Sequence, residues 1–137
     1  MNDWRLFTDA ANEERTKVAW HEVLREIASL DGQSKTLVHA AYEHYLDFVV
    51  SGGDNGYVLI QWKENANDQA HYVLTASFLE EIGSVSLTTE GEQIHIPAEW
   101  AIPIEKAIPL IGDLLQSCEL KDNAFFQWVL LEKETRQ

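Results

Sequence analysis

The stretch LDFVVSGGDNGYVLIQWKE, Leu46 to Glu64, decides the fold class. Two β-rich runs, LDFVVSG and YVLIQWKE, stand on either side of GDNG. Gly, Asp and Asn supply the backbone angles a tight reversal needs, so the pattern reads as an antiparallel hairpin. Working forward, the polar turn NANDQ leads to another strand, QAHYVLTAS. Phe78 to Ser86, FLEEIGSVS, reads as irregular, and short strands at SVSLTT and QIHIP flank the turn TEGEQ. NAFFQWVLLE closes the pattern as an almost continuously apolar strand. Such a strand is usually covered on both faces, which predicts a central or well-protected place in the sheet.

Working backward from the hairpin, SKTLVHAAYEHY is ambiguous. Leu37, Ala40, Ala41 and Tyr45 suit a helix capped by Ser34, while Thr36-Leu37-Val38 suits a strand from about Thr36 to Glu43. Periodicity does not choose between them. Before it, NEERTKVAWHEVLREIASL predicts an amphipathic helix from Asn12 to Leu30. Asn12 can cap it, Glu13 and Glu14 favour the positive end of its dipole, and Asp31-Gly32 stops it. Its apolar stripe is Ala19, Trp20, Val23, Leu24, Ile27 and Leu30.

A second helix is predicted within HIPAEWAIPIEKAIPLIGDLLQSC, His95 to Cys118. Pro103 suits its start, and Glu105 falls in the first turn. Pro109 removes the amide that would bond the carbonyl of Glu105, costing about 3 kcal/mol, and Gly112 adds about 1 kcal/mol. One stripe nevertheless continues through Ile104, Ala107, Ile108, Ile111, Leu114, Leu115 and Cys118. A short first turn with a kink or restart at Ile108-Pro109 reconciles the two. The expected fold class is α+β: a largely antiparallel sheet of about five to seven strands, an N-terminal helix and a kinked C-terminal helix packed on it, and a final strand.

Composition bounds the function. The chain has 137 residues, 45% of them hydrophobic, with five tryptophans, which points to one folded domain over residues 1–137. No apolar run approaches the roughly 20 residues that cross a bilayer. MNDWRLFTDAANEER lacks the basic-then-apolar pattern of a secretory signal, and Cys118 is the only cysteine, so the expected location is cytoplasmic. Ten Lys+Arg against 23 Asp+Glu give a net charge of −13. That surface repels nucleic acid and anionic membranes and steers basic partners towards it.

No catalytic constellation stands out. His21, His39, His44, His71 and His95 match no zinc or di-iron spacing, although His39 and His71 come near each other if residues 36–43 and 70–77 are neighbouring strands. Cys118 lies on an apolar stripe, SGGDNG lacks phosphate-loop spacing, and the pair Glu80-Glu81 reads as solvated surface. The expectation is a protein that is not an enzyme, with no metal and no cofactor.

Three local patterns resemble one known family. They are the paired strands around GDNG, the segment IPAEWAIPIEKAIPLIGDLLQSC, and the closing FFQWVLLE with Trp128 near its centre. Over roughly Asn12 to Glu132 the chain resembles the first-numbered immunity protein family of bacterial polymorphic toxin systems. Members typically carry an N-terminal helix, a multi-stranded sheet, a helix opened by a proline and an acidic residue, and a last strand bearing a tryptophan. The resemblance favours a strand for residues 36–43. It implies an immunity protein, or antitoxin, that binds a cognate toxin, often a nuclease or deaminase.

Charge gives that implication a surface. Residues 77–122 hold nine acids and two bases. A toxin acting on nucleic acid carries a basic groove, which an acidic inhibitor can occupy. The candidate toxin-binding residues are Glu80, Glu81, Glu90, Glu92, Glu99, Trp100 and Glu105, with Trp100 as aromatic anchor or, equally, as a staple beneath the helix start. Two other readings stay open: a small-molecule-binding or enzymatic α+β domain, discriminated by a pocket with convergent groups such as His39 and His71, and an acidic adaptor subunit. Composition leaves the oligomeric state as monomer or dimer, with a self-associating sheet edge possible in either.

Overall fold

The computed structural model describes residues 3–11, 13–43, 46–65, 68–76, 83–123 and 125–135. Its frame is an antiparallel sheet built on the expected hairpin, β4 (Leu46–Gly52) and β5 (Tyr57–Asn65), which pair Leu46 with Glu64 through Gly52 with Val58. The segment left ambiguous by its periodicity is a strand, β3 (Leu37–Tyr42), and Gln69 to Ala76 of QAHYVLTAS lie within β6 (Asp68–Ala76). Eight strands rather than five to seven make up the sheet.

Two of the additional strands lie at the N-terminus. β1 (Trp4–Thr8) and β2 (Glu13–Val18) pair with each other, and β1 also pairs with β3. The predicted helix is therefore too long: α1 spans Trp20–Ala28, and Glu13 and Glu14 sit on a strand rather than in a first turn. Asn12 lies outside the described residues. The reason is visible in the burial. Trp4, Leu6 and Thr8 are buried at period two, while residues 13–17 carry no apolar group that could hold a helix to a core. Val23 and Ile27 anchor α1, with Trp20 and Leu24 packed beside them. The helix ends before Asp31, whose carboxylate instead gathers the N–H groups of Gln33, Ser34 and Lys35, and it is Ser34 that donates its hydroxyl to Asp31.

The C-terminal helix α2 spans Ile104–Ser117 and takes Pro109 into one continuous helix, with no restart at Ile108. Pro109 is exposed, and the stripe of Ala107, Ile111, Leu114 and Leu115 is buried. Burying each of the three larger side chains contributes about 1.5–3 kcal/mol. Together they outweigh a single lost backbone bond. Both helices cover one sheet face, forming a core with Trp4, Phe48, Ile60, Trp62 and Leu74. Trp4 is fully buried with no partner for its indole N–H among the described residues, a cost of about 1–3 kcal/mol that its packing must exceed.

The other face is partly covered by a separate hairpin, β7 (Ser84–Thr89) with β8 (Glu92–Pro97), which matches the strands expected around TEGEQ. Residues 78–82 of the segment expected to be irregular lie outside the described residues. Leu87 and Ile96 form a second small core with Leu59, Val73 and Ala101. The hairpin is also fastened by polar groups. Asp54 accepts the N–H (2.8 Å) and hydroxyl (2.7 Å) of Thr88, and the N–H of Glu90 donates to the Thr36 hydroxyl at 2.8 Å. A two-residue strand, β9 (Ile102–Pro103), pairs with the start of β5 and leads into α2.

The final strand is β10 (Phe126–Thr135), and it is not central. The order β10-β6-β5-β4-β3-β1-β2 makes it one edge of the sheet. Phe126 is buried and Trp128 half-buried, but Val129, Leu130 and Leu131 are exposed. A continuous apolar run does not by itself specify two covered faces.

Thr36 links three segments, because it also bonds Asp9, which follows β1. The Asp9 carboxylate accepts the N–H groups of Thr36 (2.9 Å) and Leu37 (3.1 Å) and the Thr36 hydroxyl. Burial pushes the Asp9 pKa up, but these bonds outweigh it and hold the carboxyl below its ordinary value. A depressed carboxylate stabilises the fold above its unfolded pKa, and that contribution is lost as pH falls through the folded value. Wild type should therefore exceed Asp9→Asn in urea midpoint near neutrality, with the gap closing as pH falls below the ordinary carboxylate range. A gap independent of pH across that range would remove the carboxylate's role.

Candidate binding surfaces

The acidic residues singled out by sequence do not gather into one patch among those described. Glu90 sits in the tight turn between β7 and β8 at φ 49°, and Glu92 opens β8. Glu99 lies in a single helical turn, Ala98–Trp100, at the far end of the hairpin. At about 3.3 Å per residue, the six-residue strand β8 separates the two groups by about 20 Å. Glu105 stands in the first turn of α2, beyond the point where the chain passes from the hairpin side (Ala101) to the helix side (Ile102). All four are exposed. Glu80 and Glu81 lie outside the described residues.

Trp100 is half-buried, packed against the small core of Leu59, Val73, Leu87 and Ile96. It staples the hairpin side of the sheet rather than the underside of α2. Cys118 caps α2 in the left-handed conformation, φ 56°, half-buried against the main core. Burial, assisted by the field of Glu43, pushes its thiol pKa up, which suits a packed thiol more than a nucleophile.

The two histidines considered as a pair are not brought together. β3 and β6 are separated by β4 and β5, about 14 Å at three strand spacings. His39 donates from Nε2 to Oδ1 of Asp47 at 2.9 Å, while His71 donates to Oε1 of Gln61 at 2.7 Å. His95 bonds Ser86 on the hairpin, His21 lies edge-on to Trp20, and His44 is outside the described residues. Among the described residues no three His, Cys, Asp or Glu side chains converge as a metal site would require.

Three surface features were not assembled by sequence reasoning. The first is the apolar strip of β10. Phe125 is 59% exposed, Leu130 46%, and Val129 and Leu131 41% each. The outer edge of this strand is partly closed, since Asn123 Oδ1 accepts the N–H of Phe126 and Asp122 Oδ1 that of Trp128, both at 2.8 Å. The opposite edge, β2, carries Glu13, Glu14, Arg15 and Lys17, all exposed. Natural sheets blunt their edges with such charges; in β10 they stand only at the far end, Glu132 to Glu134, and the stretch Phe126 to Leu131 carries none. Val129 pairs with Val73, whose cluster holds Trp100, so the half-buried tryptophan and Glu99 adjoin the strip. The run FFQWVLLE was the available signal, but it was read as burial.

The second feature is a small hollow of about 30 Å³ beside the strip, between α2 and β10, lined by Leu110, Leu114, Trp128, Asp113, Glu119 and Lys121. The third is a wider hollow of about 270 Å³ on the open sheet face, lined by Arg5, Leu6, Phe7, Glu14, His39, Ala41 and Asp47. These side chains come from four strands and meet only through strand register, which sequence spacing does not reveal.

Comparison with known proteins finds no likeness to argue from: no family profile matches the chain, and no curated protein or solved structure is similar to it. No described helix is long and apolar enough to cross a membrane.

Proposed function

We propose that this chain is an immunity protein, an inhibitor that binds and neutralises a toxin with a basic surface. The supporting observation is the exposed strip of β10 on a chain of net charge −13. The strip runs along the sheet edge, with Val129 on the side of Val73 and Trp100, and Leu130 on the side of Tyr72. Exposed apolar surface of this kind marks an interaction site. The acids at Glu99, Glu119 and Asp122 give that strip a negative rim and steer a basic partner towards it. Affinity then concentrates in a few desolvated groups, here Leu130, Val129 and the exposed part of Trp100. A nuclease or deaminase suits this reading, because its substrate groove must be basic to hold nucleic acid. The inhibitor occupies that groove, excludes the substrate and performs no chemistry. It acts in the cytoplasm, where such a toxin meets its target.

The test is co-expression with the toxin domain encoded by the adjoining gene. Wild type should restore growth and co-elute with the toxin on gel filtration. Leu130→Lys removes apolar area and reverses the local charge at an exposed position. It should weaken the complex by at least about thirtyfold, the scale of one hot-spot residue, without lowering the melting temperature. Continued toxicity with soluble wild-type protein and no complex would defeat the reading.

A further inference from the structure

Two opposite charges on the open sheet face flank a gap without closing it. Arg5 pairs with Ala41, and Ala41 pairs with Asp47, so the three form one row across β1, β3 and β4, which continues past Asp47 to the exposed Lys63 on β5. Directly paired residues project to the same face, which places a guanidinium and a carboxylate on either side of a methyl group. Two strand spacings set their Cα atoms about 10 Å apart. Phe7 and His39 stand in the next row, with Glu14 paired beside Phe7, and wall the hollow. Its 270 Å³ equals the liquid volume of about nine waters.

Each charge is held by other groups. Arg5 donates to the carbonyl of Glu43 at 2.8 Å and makes no ion pair among the described residues. Asp47 accepts His39 Nε2 on one oxygen, at 2.9 Å, and Asn65 Nδ2 on the other, at 2.7 Å. A guanidinium has five N–H donors and a carboxylate about four lone pairs, so both retain capacity after these bonds. Their supports also fix their positions before any ligand arrives, which lowers the ordering cost of binding.

We propose that this hollow binds a zwitterion of the α-amino acid class, its carboxylate on Arg5, its ammonium on Asp47 and its side chain against Phe7. A ligand with only a positive group meets the Arg5 guanidinium at one end of the row. A ligand with only a negative group meets Asp47 at the other. A molecule carrying both satisfies both ends, and Ala41 leaves room for its backbone. This site lies on β1, β3 and β4, at the far side of the sheet from β10, and does not depend on the toxin-binding reading.

The full chain is titrated with leucine, glutamate and lysine while backbone amide shifts are followed by NMR. N-acetylleucine and leucinamide, each lacking one charge, are the controls. At least one amino acid should produce saturable shifts at Phe7, Ala41 and Asp47, with acetylated or amidated forms binding at least about tenfold more weakly. Ala41→Leu fills the gap from a position only 8% exposed and should abolish the shifts. If that variant does not fold, Arg5→Gln, at an exposed side chain, should do the same. No saturable shift at about 10 mM, a concentration that fills a millimolar site, would overturn the proposal. So would equal binding of leucinamide, or shifts that persist in either variant.

Discussion

Gly53→Ala should lower stability by about 4 kcal/mol or more, at the far end of what one methyl can do. Gly53 has φ +107°, a region that costs an L side chain about 1–3 kcal/mol. A Cβ there would also lie 2.6 Å from the nitrogen of Asp31 and the carbonyl carbon of Leu30. Those are backbone atoms of the loop after α1, and they cannot rotate aside. From the other side, a Cβ on Gly32 would lie 2.7 Å from the nitrogen of Asp54. The two turns thus touch main chain to main chain, and the contact positions Asp54, whose carboxylate holds the β7–β8 hairpin. Gly56→Ala is the control: its φ is +81°, and nothing lies within 4 Å of the added carbon. It should carry only the backbone penalty. Urea midpoints for the two variants separate strain from collision, and equal values would mean that the close approach contributes nothing.

Trp62→Ala should cost about 3–5 kcal/mol, the range for removing a buried aromatic. Trp62 is fully buried on β5, the strand with most neighbours in the sheet, and meets Phe48 edge to face at 5.7 Å. Its indole N–H donates to Oε2 of Glu64 at 3.2 Å, so truncation also strands part of a polar pair. With total stability of order 5–15 kcal/mol for a domain, the variant should be largely unfolded or melt far below wild type. Circular dichroism on heating reads the effect directly. A melting temperature within a few degrees of wild type would show that α1 and α2 do not depend on this side chain for their seat.

The central hairpin was legible because GDNG carries turn chemistry that few other structures demand. The sheet's ends were not. In β1, Trp4, Leu6 and Thr8 alternate plainly, but so short a run is easily passed over. Glu13 to Val18 lost its strand character to the stronger helical stripe that begins at Ala19. FFQWVLLE named a strand correctly and its place wrongly, since apolarity says nothing about how many neighbours a strand has. Pro109 argued for a break, yet the stripe it interrupts buries enough surface to carry the helix through. The candidate acids that are described do not gather, for a simpler reason: closeness in sequence between Glu92 and Glu99 becomes distance once the residues between them are extended. Arg5, far from Ala41 and Asp47 in the chain, became their neighbour by the same register that was invisible until the strands were paired.

The unequal borders of the sheet limit how the protein can aggregate. Indefinite growth needs two receptive sides, so that each newcomer offers a fresh one to the next. Here one side presents four charged side chains, and the other, apolar over Phe126 to Leu131 and charged from Glu132 to Glu134, offers only that shorter stretch to an incoming backbone. Whatever docks against that accepting side, a foreign chain or a second copy turned about a two-fold axis, uses up the single vacancy and terminates the assembly. Fibre formation by this route is closed off by the asymmetry alone.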